Sequence, residues 1–500
     1  MLTLGRITGF GKNRRARILK SMNLRPILYI NGLLLCMLSV AMSLPMLVDL
    51  HYGHEDWRVF FISILITAFF GGMITVTNTC PEIKLSLRQG FLLTTSSWLV
   101  VGLFAAIPFA LSDMELSLTD SIFEAISGIT TTGATILPGI ETAPPGILMW
   151  RAILQWLGGI GIIVMALSLL PFLGVGGMQL FRTESSERDK AMPRAAQLAS
   201  SICLLYLGLS ILCVFAYLLA GFSMFDAVAH AMTTISTGGY STYDASFMNF
   251  DSPHKEIVAI IFMVLGSLPF LVYLHMVRGD LRAFWADGQV KWFFLIWLGF
   301  IAAIFFWHIY DQPDDETPML HSAFTVTALM TGTGYANNDY ANWAAFPTTL
   351  FLFMMLVGGC AGSTTCGIKI FRFQILYEII RAQIKQSMRP HGVFIPTFRG
   401  RPLEDQVTIS VLSFFFVYAL CFAVIALLLS ATSLDFITAV SGAASAISNV
   451  GPGLGPIIGP AGNYTSLSDM AKWVLCAGMI IGRLELFTVL ILLSPQFWRR

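Results

Sequence analysis

The chain has 500 residues, of which 56% are hydrophobic and 12% charged, and its formal net charge is +1. Long apolar runs in such a composition indicate a protein that crosses a lipid bilayer. The balanced charge gives no electrostatic reason to bind nucleic acid, and the eight cysteines lack the paired spacing of a zinc site. We therefore expect neither a nucleic-acid-binding protein nor a zinc enzyme, and no cofactor in the chain.

Ten charge-poor segments approach or exceed the roughly 20 residues that a spanning helix needs. They are residues 26 to 48, 59 to 80, 89 to 112, 152 to 181, 195 to 225, 257 to 277, 292 to 310, 340 to 368, 406 to 434 and 470 to 495. The sequence thus predicts an all-α polytopic membrane protein with ten transmembrane helices.

The positions of lysine and arginine predict the orientation, because basic residues are retained in cytoplasmic loops. Basic clusters precede the first segment and follow the eighth, so both chain ends are predicted to be cytoplasmic. Four basic residues are predicted to lie outside: Arg58, Arg151, Lys255 and Lys472. One outer loop without lysine or arginine carries carboxylates that would attract cations: Asp311, Asp314, Asp315, Glu316 and Asp339.

An eleven-residue segment ending in glycine occurs four times on the predicted outer side, each time between two spans. The copies are Phe123-Glu-Ala-Ile-Ser-Gly-Ile-Thr-Thr-Thr-Gly133, Ala229-His-Ala-Met-Thr-Thr-Ile-Ser-Thr-Gly-Gly239, Phe324-Thr-Val-Thr-Ala-Leu-Met-Thr-Gly-Thr-Gly334 and Ser441-Gly-Ala-Ala-Ser-Ala-Ile-Ser-Asn-Val-Gly451. The chain is therefore predicted to comprise residues 1–88, with two extra helices, and four pore repeats at 89–194, 195–291, 292–404 and 405–500.

Each copy follows a helix-start signal, at Thr119, Ser223, Thr317 and Ser433, and is too short to cross a bilayer. Non-helical backbone at membrane depth is tolerated only in protein or around a watery cavity, so four re-entrant loops in pseudo-fourfold arrangement predict one central pore. Glycine can turn carbonyls inward, and a ring of carbonyls can replace the hydration shell of a monovalent cation. The predicted filter residues are Thr130, Thr131, Thr132, Gly133, Ser236, Thr237, Gly238, Gly239, Thr331, Gly332, Thr333, Gly334, Ser448, Asn449, Val450 and Gly451.

Further motifs follow the loops: Gln155-Trp-Leu-Gly-Gly-Ile-Gly-Ile-Ile-Val164 with Leu173-Gly-Val-Gly-Gly-Met-Gln-Leu180, Gly358-Gly-Cys-Ala-Gly-Ser-Thr-Thr-Cys-Gly-Ile-Lys369, and Gly482-Arg-Leu-Glu-Leu-Phe487. Together with the loops, they resemble the Trk/Ktr/HKT superfamily of potassium transporters, and most closely its TrkH type, from about residue 25 to the end. Two departures from the superfamily pattern are Gly266-Ser-Leu-Pro-Phe270 and Cys366.

The resemblance implies potassium uptake across the bacterial inner membrane by a homodimer with one pore in each subunit. Glycine in all four loops goes with potassium preference in this superfamily. Nucleotides are expected to act only through a partner, a peripheral TrkA-like subunit that docks on the basic inner face near residues 369 to 404.

Residues 358 to 367 are rich in glycine and hydroxyl groups, so continuous helix there is unfavourable. This segment is either a packing interface of small residues or, by the resemblance, a gate under the filter. The gate residues are then Gly358, Gly359, Gly362, Ser363, Thr364, Gly367, Lys369 and Arg483. Arg483 lies within a span, where it either opposes cations in the pore or bonds to buried carbonyls. We do not expect it to pair with Glu485, because residues two apart do not share a helix face.

Two alternative functions involve the same residues. Potassium could be coupled to a proton or a sodium ion, although no chain of buried carboxylates forms an obvious relay. An intramembrane hydrolase could use Ser363 or Thr364, but no histidine or carboxylate is placed to activate either hydroxyl, so we do not expect an enzyme. His230, His275 and His308 lack ligand-spaced neighbours and are predicted to be structural.

Overall fold

A computed structural model of the chain describes residues 22–80, 85–168, 188–250, 252–311 and 317–498. Its longer helices are Arg25–Ala41, Trp57–Thr77, Leu87–Ala105, Pro145–Ser168, Arg188–Leu219, Pro253–Ser267, Gly288–Asp311, Ile370–Met388, Asp405–Ser430 and Asp469–Arg483. Shorter helices are Ser43–Tyr52, Ile107–Leu111, Phe270–Val277, Arg282–Ala286, Ala345–Leu356, Phe487–Leu493 and Pro495–Trp498. Single 3-10 turns occupy Ile140–Thr142, Ser246–Asn249 and Tyr340–Asn342, and Thr397–Phe398 pairs antiparallel with Arg401–Pro402.

Seven helices in these ranges are long and apolar enough to cross a membrane. They occupy Arg25–Tyr52, Trp57–Thr77, Leu87–Leu111, Pro145–Ala166, Gln197–Leu219, Gly288–Asp311 and Asp405–Ser430. The number rises to nine if each of two bent helix pairs forms one span. Large apolar side chains such as Val76, Leu219 and Phe416 point outward, as lipid contact requires. The all-α polytopic class is confirmed, and ten spans remain a prediction.

The eighth predicted span, residues 340 to 368, is helical only over Ala345–Leu356 apart from one 3-10 turn. The chain is non-helical from Val357 to Lys369, and the next helix begins at Ile370. Several predicted features lie outside the described residues. These are the basic residues before position 22, the motif at 173–180, and Asp314, Asp315 and Glu316.

The sixth predicted span, residues 257 to 277, is not one continuous helix, because Pro253–Ser267 turns by 95° into Phe270–Val277. Pro269 at the bend has no N–H to continue the helical hydrogen bonds. The carbonyl of Ser267, at the end of the first helix, accepts instead the N–H of Cys360 at 3.0 Å.

The tenth predicted span, residues 470 to 495, is also bent, by 116° between Asp469–Arg483 and Phe487–Leu493. Glu485 and Leu486 have positive φ angles of 61° and 37° at this bend. Such angles are sterically unfavourable for residues with side chains, so neighbouring contacts must hold them.

Four further helices precede the repeated glycine loops, and we number them the first to fourth short helix: Leu118–Ile129, Met224–Ile235, Pro318–Met330 and Phe436–Ser448. With 12 or 13 residues each, they reach roughly 18 to 20 Å, less than the bilayer thickness. Every residue from Ser121 to Ile129 is buried, as is every residue from Ser441 to Ser448. These helices therefore lie at the protein's centre, inside the longer apolar helices.

Side-chain caps fix the start of three short helices, and two of the predicted start residues are wrong. Ser117, not Thr119, accepts the N–H of Asp120, and Asp435, not Ser433, accepts that of Thr438. The side chain of Ser223 caps the second short helix as predicted. A capping side chain must lie just before the first helical turn to accept a free N–H group there. This requirement favours Ser117 over Thr119 and Asp435 over Ser433 as the cap.

Candidate functional site

Each of the four glycine loops contains two residues with positive φ, separated by one residue. The second is the last glycine of the repeat, and φ is 82° at Gly133, 78° at Gly239, 76° at Gly334 and 106° at Gly451. The first lies two positions earlier, and φ is 53° at Thr131, 51° at Thr237, 68° at Gly332 and 54° at Asn449. A left-handed residue at every second position lets successive carbonyls face the same side of the backbone.

The four loops contact one another in a closed cycle. A methyl group on Gly133 would collide with the carbonyl oxygen of Gly238, and one on Gly239 would collide with that of Thr333. The cycle continues, because a methyl group on Gly334 would collide with the Val450 oxygen, and one on Gly451 would lie 2.6 Å from the Thr132 oxygen. Each glycine thus packs on the residue before the glycine of the next loop. We call residues 130–133, 236–239, 331–334 and 448–451 the loop ring.

The loop ring opens onto a small cavity of about 60 Å³. Gly133, Gly239 and Gly334 line it, together with Pro452, which follows the fourth glycine. Asp244 also lines this cavity. Three loops and the residue after the fourth therefore share one opening, as expected if the loops surround a common axis.

Hydroxyl side chains of the predicted filter residues bond mostly to protein. Thr130 and Thr132 share a hydrogen bond of 2.7 Å, and Thr331 and Thr333 share one of 2.8 Å. The Asn449 amide donates to Thr132 Oγ1 and to the Met479 carbonyl, both at 2.9 Å. Among the described residues, the buried Thr131 Oγ1 has no hydrogen-bond partner. The other side chains hold the loops in place, so backbone carbonyls are the main groups available to a cation.

A buried ion pair supports the first loop from outside the ring. Arg151 Nε lies 2.8 Å from Glu124 Oε1, and both side chains are at most 1% exposed. Arg151 also donates to the Ser241 carbonyl at 2.9 Å, and its guanidinium lies 3.9 Å from the centre of the Tyr240 ring. Glu124 accepts the N–H of Ile136 at 2.9 Å. Arg151 is therefore part of the core and joins the first repeat to the second.

Lys472 is a second predicted outer cation that the fold buries. Its ammonium group lies 2.6 Å from Asp120 at the start of the first short helix, and its side chain is 5% exposed. The pair joins the fourth repeat to the first.

The sequence draws attention to Glu124, because it is a carboxylate inside a short apolar helix. Its partner Arg151 is 27 residues away, and no spacing in the sequence identifies it.

The glycine-rich segment after Leu356 packs against the bend at Pro269. The N–H of Cys360 donates to Ser267 and that of Thr364 to Gly266, while Ala361 donates to the side chain of Gln289 at 2.9 Å. Gly362 and Gly367 have φ of 77° and 70°. We call residues 357–369 the inner loop. Its backbone replaces helical bonds with bonds to a neighbouring helix end.

The inner loop also reaches the loop ring. Thr237 Oγ1 donates to Thr364 Oγ1 at 3.2 Å, and Thr364 Oγ1 donates in turn to the Gly266 carbonyl at 2.9 Å. Ser363 donates to the Cys360 carbonyl at 2.6 Å. Neither hydroxyl has a histidine or carboxylate hydrogen-bond partner among the described residues, so their contacts give no support to nucleophilic chemistry.

Arg483 connects three parts of the protein and is 1% exposed. Nη1 donates to the Thr364 carbonyl at 3.1 Å and to Cys366 Sγ at 2.6 Å, and Nη2 donates to the Gly158 carbonyl at 2.7 Å. The fourth repeat thus holds both the inner loop and the helix behind the first loop. These bonds give Arg483 a structural role and also place its charge beside the inner loop.

Glu485 forms an ion pair with Arg372 and not with Arg483, in agreement with the expectation that Arg483 and Glu485 do not pair. The Arg372 Nη2 to Glu485 Oε2 distance is 2.6 Å, and the Arg372 guanidinium lies 3.7 Å from the Phe414 ring centre. Lys369 donates to the Thr365 carbonyl. The pair fixes the bend in the fourth repeat to the helix that follows the inner loop.

Comparison with known proteins identifies the family to which this chain belongs. The TrkH family of cation transport proteins matches residues 57–500. The chain belongs to this family. Among TrkH-family relatives, the potassium uptake protein TrkI of Halomonas elongata is 44% identical, covering 95% of this chain and 97% of its own. TrkH of Escherichia coli is 36% identical, with coverage of 96% and 100%.

A crystal structure of the potassium transporter TrkH from Vibrio parahaemolyticus has the same fold as this TrkH-family chain. The TM-score is 0.88 at 36% identity, and the match covers 96% of this chain and 100% of the other. The resemblance inferred from the loops and motifs is therefore confirmed.

Proposed function

We propose that the chain carries potassium ions across the membrane through the centre of the loop ring. The observation that carries this proposal is the closed cycle of glycine–carbonyl contacts, which makes one ring from four distant segments. A ring of carbonyls can replace the hydration shell of a monovalent cation. The relatives' names, potassium uptake proteins and a potassium transporter, support potassium as the ion.

The electrostatics of the ring favour a cation. All four short helices end at the loops, so their partial negative C-terminal charges lie beside the ring. The Arg151 charge is matched by Glu124 at 2.8 Å, which leaves little net positive charge from this pair. Asp244 adds a carboxylate at the outer cavity. An inside-negative membrane potential would then drive potassium inward.

The inner loop is proposed to close the path on the other side of the ring. Its support is the contact between Thr364 and Thr237, which joins it to the second loop, and its two left-handed glycines. The Arg483 charge beside it would raise the barrier to a cation. The gate residues then include Gly358, Gly359, Gly362, Ser363, Thr364, Gly367, Lys369 and Arg483.

The surrounding assembly follows from the same proposal. We propose a bacterial inner-membrane homodimer with cytoplasmic ends, built from the five sequence units predicted above, and a TrkA-like nucleotide-binding partner. Exposed apolar residues on helix Ile370–Met388 support a protein contact on that side: Tyr377, Ile380, Ile384 and Met388.

Potassium or rubidium flux into proteoliposomes, with sodium as competitor, tests the function. We expect uptake that follows an imposed inside-negative potential and prefers potassium over sodium. Uptake that instead requires an inward proton or sodium gradient would favour a coupled symporter on the same fold. Absence of any cation flux from folded, reconstituted protein would contradict transport through the ring.

A further inference from the structure

The four carbonyls that close the loop ring have unequal hydrogen-bond partners. The carbonyl of Gly238 accepts a hydrogen bond from Gln155 Nε2 at 2.6 Å. In the part of the chain that the structure describes, no hydrogen bond reaches the carbonyl oxygens of Thr132, Thr333 or Val450. One carbonyl of the ring is therefore shared with the protein, and three are free for a cation.

Gln155 binds the second loop at two points, one on each side of Gly239. Its Oε1 accepts the N–H of Tyr240 at 3.1 Å, while its Nε2 donates to Gly238. These two bonds hold the peptide groups that flank the left-handed glycine. The amide of Gln155 thus acts as a backbone partner for a loop that has no neighbouring strand.

The position of Gln155 is itself fixed. Its side chain is fully buried, and a methyl group on Gly238 would collide with it. One turn further along the same helix, a methyl group on Gly158 would collide with the Ile129 carbonyl, and one on Gly159 would lie 2.8 Å from Ser236 Cβ. The helix therefore presses directly against the first and second loops, and Gln155 cannot move away without moving them.

A donor on a carbonyl changes what that carbonyl offers to an ion. The hydrogen bond occupies one lone-pair direction and fixes the orientation of the C=O group. The choice between monovalent cations depends on the number and field strength of the coordinating carbonyls. A ring with three free carbonyls and one shared carbonyl has a different field from a ring of four free ones.

We propose that Gln155 determines cation specificity by positioning the Gly238 carbonyl and reducing its charge toward the ion. This inference rests on the proposed transport through the loop ring. Asn449 makes no equivalent bond, because its amide donates to the Thr132 side chain and to Met479. Gln155 is thus the side chain that the structure places on a carbonyl of the closing cycle.

Two variants separate the donor from the bulk of the side chain. Gln155→Leu removes both hydrogen bonds and keeps a side chain of similar volume. Gln155→Glu keeps the acceptor for Tyr240 and, when ionised, turns a carboxylate oxygen toward the Gly238 carbonyl. A protonated carboxyl group would restore the donor. The matched control is Gln89→Leu, because Gln89 also donates to a carbonyl, that of Asn23, and accepts an N–H, that of Ser86, away from the loops.

The experiment measures potassium and sodium uptake by full-length variants in proteoliposomes. We expect the potassium preference to fall by about tenfold in both Gln155 variants, equivalent to about 1.4 kcal/mol, while Gln89→Leu keeps the wild-type ratio. In Gln155→Glu the preference should recover as the pH is lowered, whereas the wild-type ratio stays constant. A preference that stays reduced at low pH, where the protonated carboxyl group can donate to the Gly238 carbonyl again, would contradict a role for this donor.

The possible outcomes distinguish the role of Gln155 from the proposed potassium transport on which it rests. Wild-type protein without potassium-selective uptake would refute the transport proposal itself. Normal wild-type uptake with an unchanged ratio in Gln155→Leu would refute the role of Gln155 alone. Should Gln155→Leu fail to fold, a wild-type ratio in Gln155→Glu that persists at the alkaline pH where the buried carboxyl group is ionised would refute it equally.

Discussion

The loop ring and the inner loop are both non-helical segments in the buried centre of the protein, but their backbone groups have different hydrogen-bond partners. In the ring, glycines contact the carbonyls of the next loop, and the carbonyls of Thr132, Thr333 and Val450 accept no hydrogen bond within the described residues. In the inner loop, N–H groups of Cys360 and Thr364 bond to the end of a broken helix.

This difference fits the two proposed roles, an ion site in the loop ring and a closing segment in the inner loop. Free buried carbonyls are unfavourable unless a ligand or water satisfies them, so the ring suits a cation. A segment whose bonds to the rest of the protein are few, to the bent helix, Gln289, Thr237 and Arg483, can exchange them as a unit. The contact between Thr237 and Thr364 is where the two segments meet.

The largest effect is expected from a side chain at a ring glycine. Gly239→Ala should abolish the potassium preference, because φ is 78° and the new methyl group would collide with the Thr333 carbonyl. Gly53→Ala is the matched control, since Gly53 has φ of 71° but no atom within 4 Å of the added group. It should lose about 1 to 2 kcal/mol of stability from backbone strain alone and keep its selectivity. Flux ratios in proteoliposomes measure both, and equal selectivity in both variants would contradict the ring.

The second prediction concerns the support of the ring. Arg151→Met leaves the Glu124 carboxylate buried without its partner, which should destabilise the protein by about 3 to 5 kcal/mol. Thermal unfolding in detergent measures this loss. Glu124→Gln combined with Arg151→Met should be less destabilised than Arg151→Met alone, because no unpaired charge remains. A double variant with the summed loss of both single variants would show that the pair is not coupled.

Sequence patterns predicted the ring but not its supports. Four glycines in register between spans identify the loops, because glycine is required wherever backbone contacts backbone. Gln155 and Arg151 could not be identified, since their partners Gly238 and Ser241 are 83 and 90 residues away and only packing brings them together. The bends at Pro269 and Glu485 were missed for a similar reason, as hydropathy does not show which carbonyls a distant loop will satisfy.

The third prediction concerns the inner loop and decides between the two roles of Arg483. If its charge opposes cations, Arg483→Gln should raise potassium flux several-fold, and Arg483→Lys should stay near wild type. If its role is only to bond the carbonyls of Thr364 and Gly158, both variants should change flux and stability alike, because neither reproduces the guanidinium geometry. Flux and unfolding temperature are measured on the same preparations. Selectivity should survive, since the ring carbonyls belong to other segments.

The smallest effect is expected at the outer opening, where Asp244 adds a negative charge near the ring. Asp244→Asn should raise the potassium concentration for half-maximal uptake by about twofold at low ionic strength, and by less in high salt, because salt screens exposed charges. Asp280→Asn is a suitable control on the predicted inner side. Partial desolvation and the neighbouring Glu141 raise the pKa of Asp244. Its charge is therefore lost at a higher pH than that of an isolated carboxylate, so acidifying the outside should raise the wild-type half-maximal concentration. The Asp244→Asn variant should lack this part of the pH dependence, and an identical dependence in both proteins would show that Asp244 does not attract the ion.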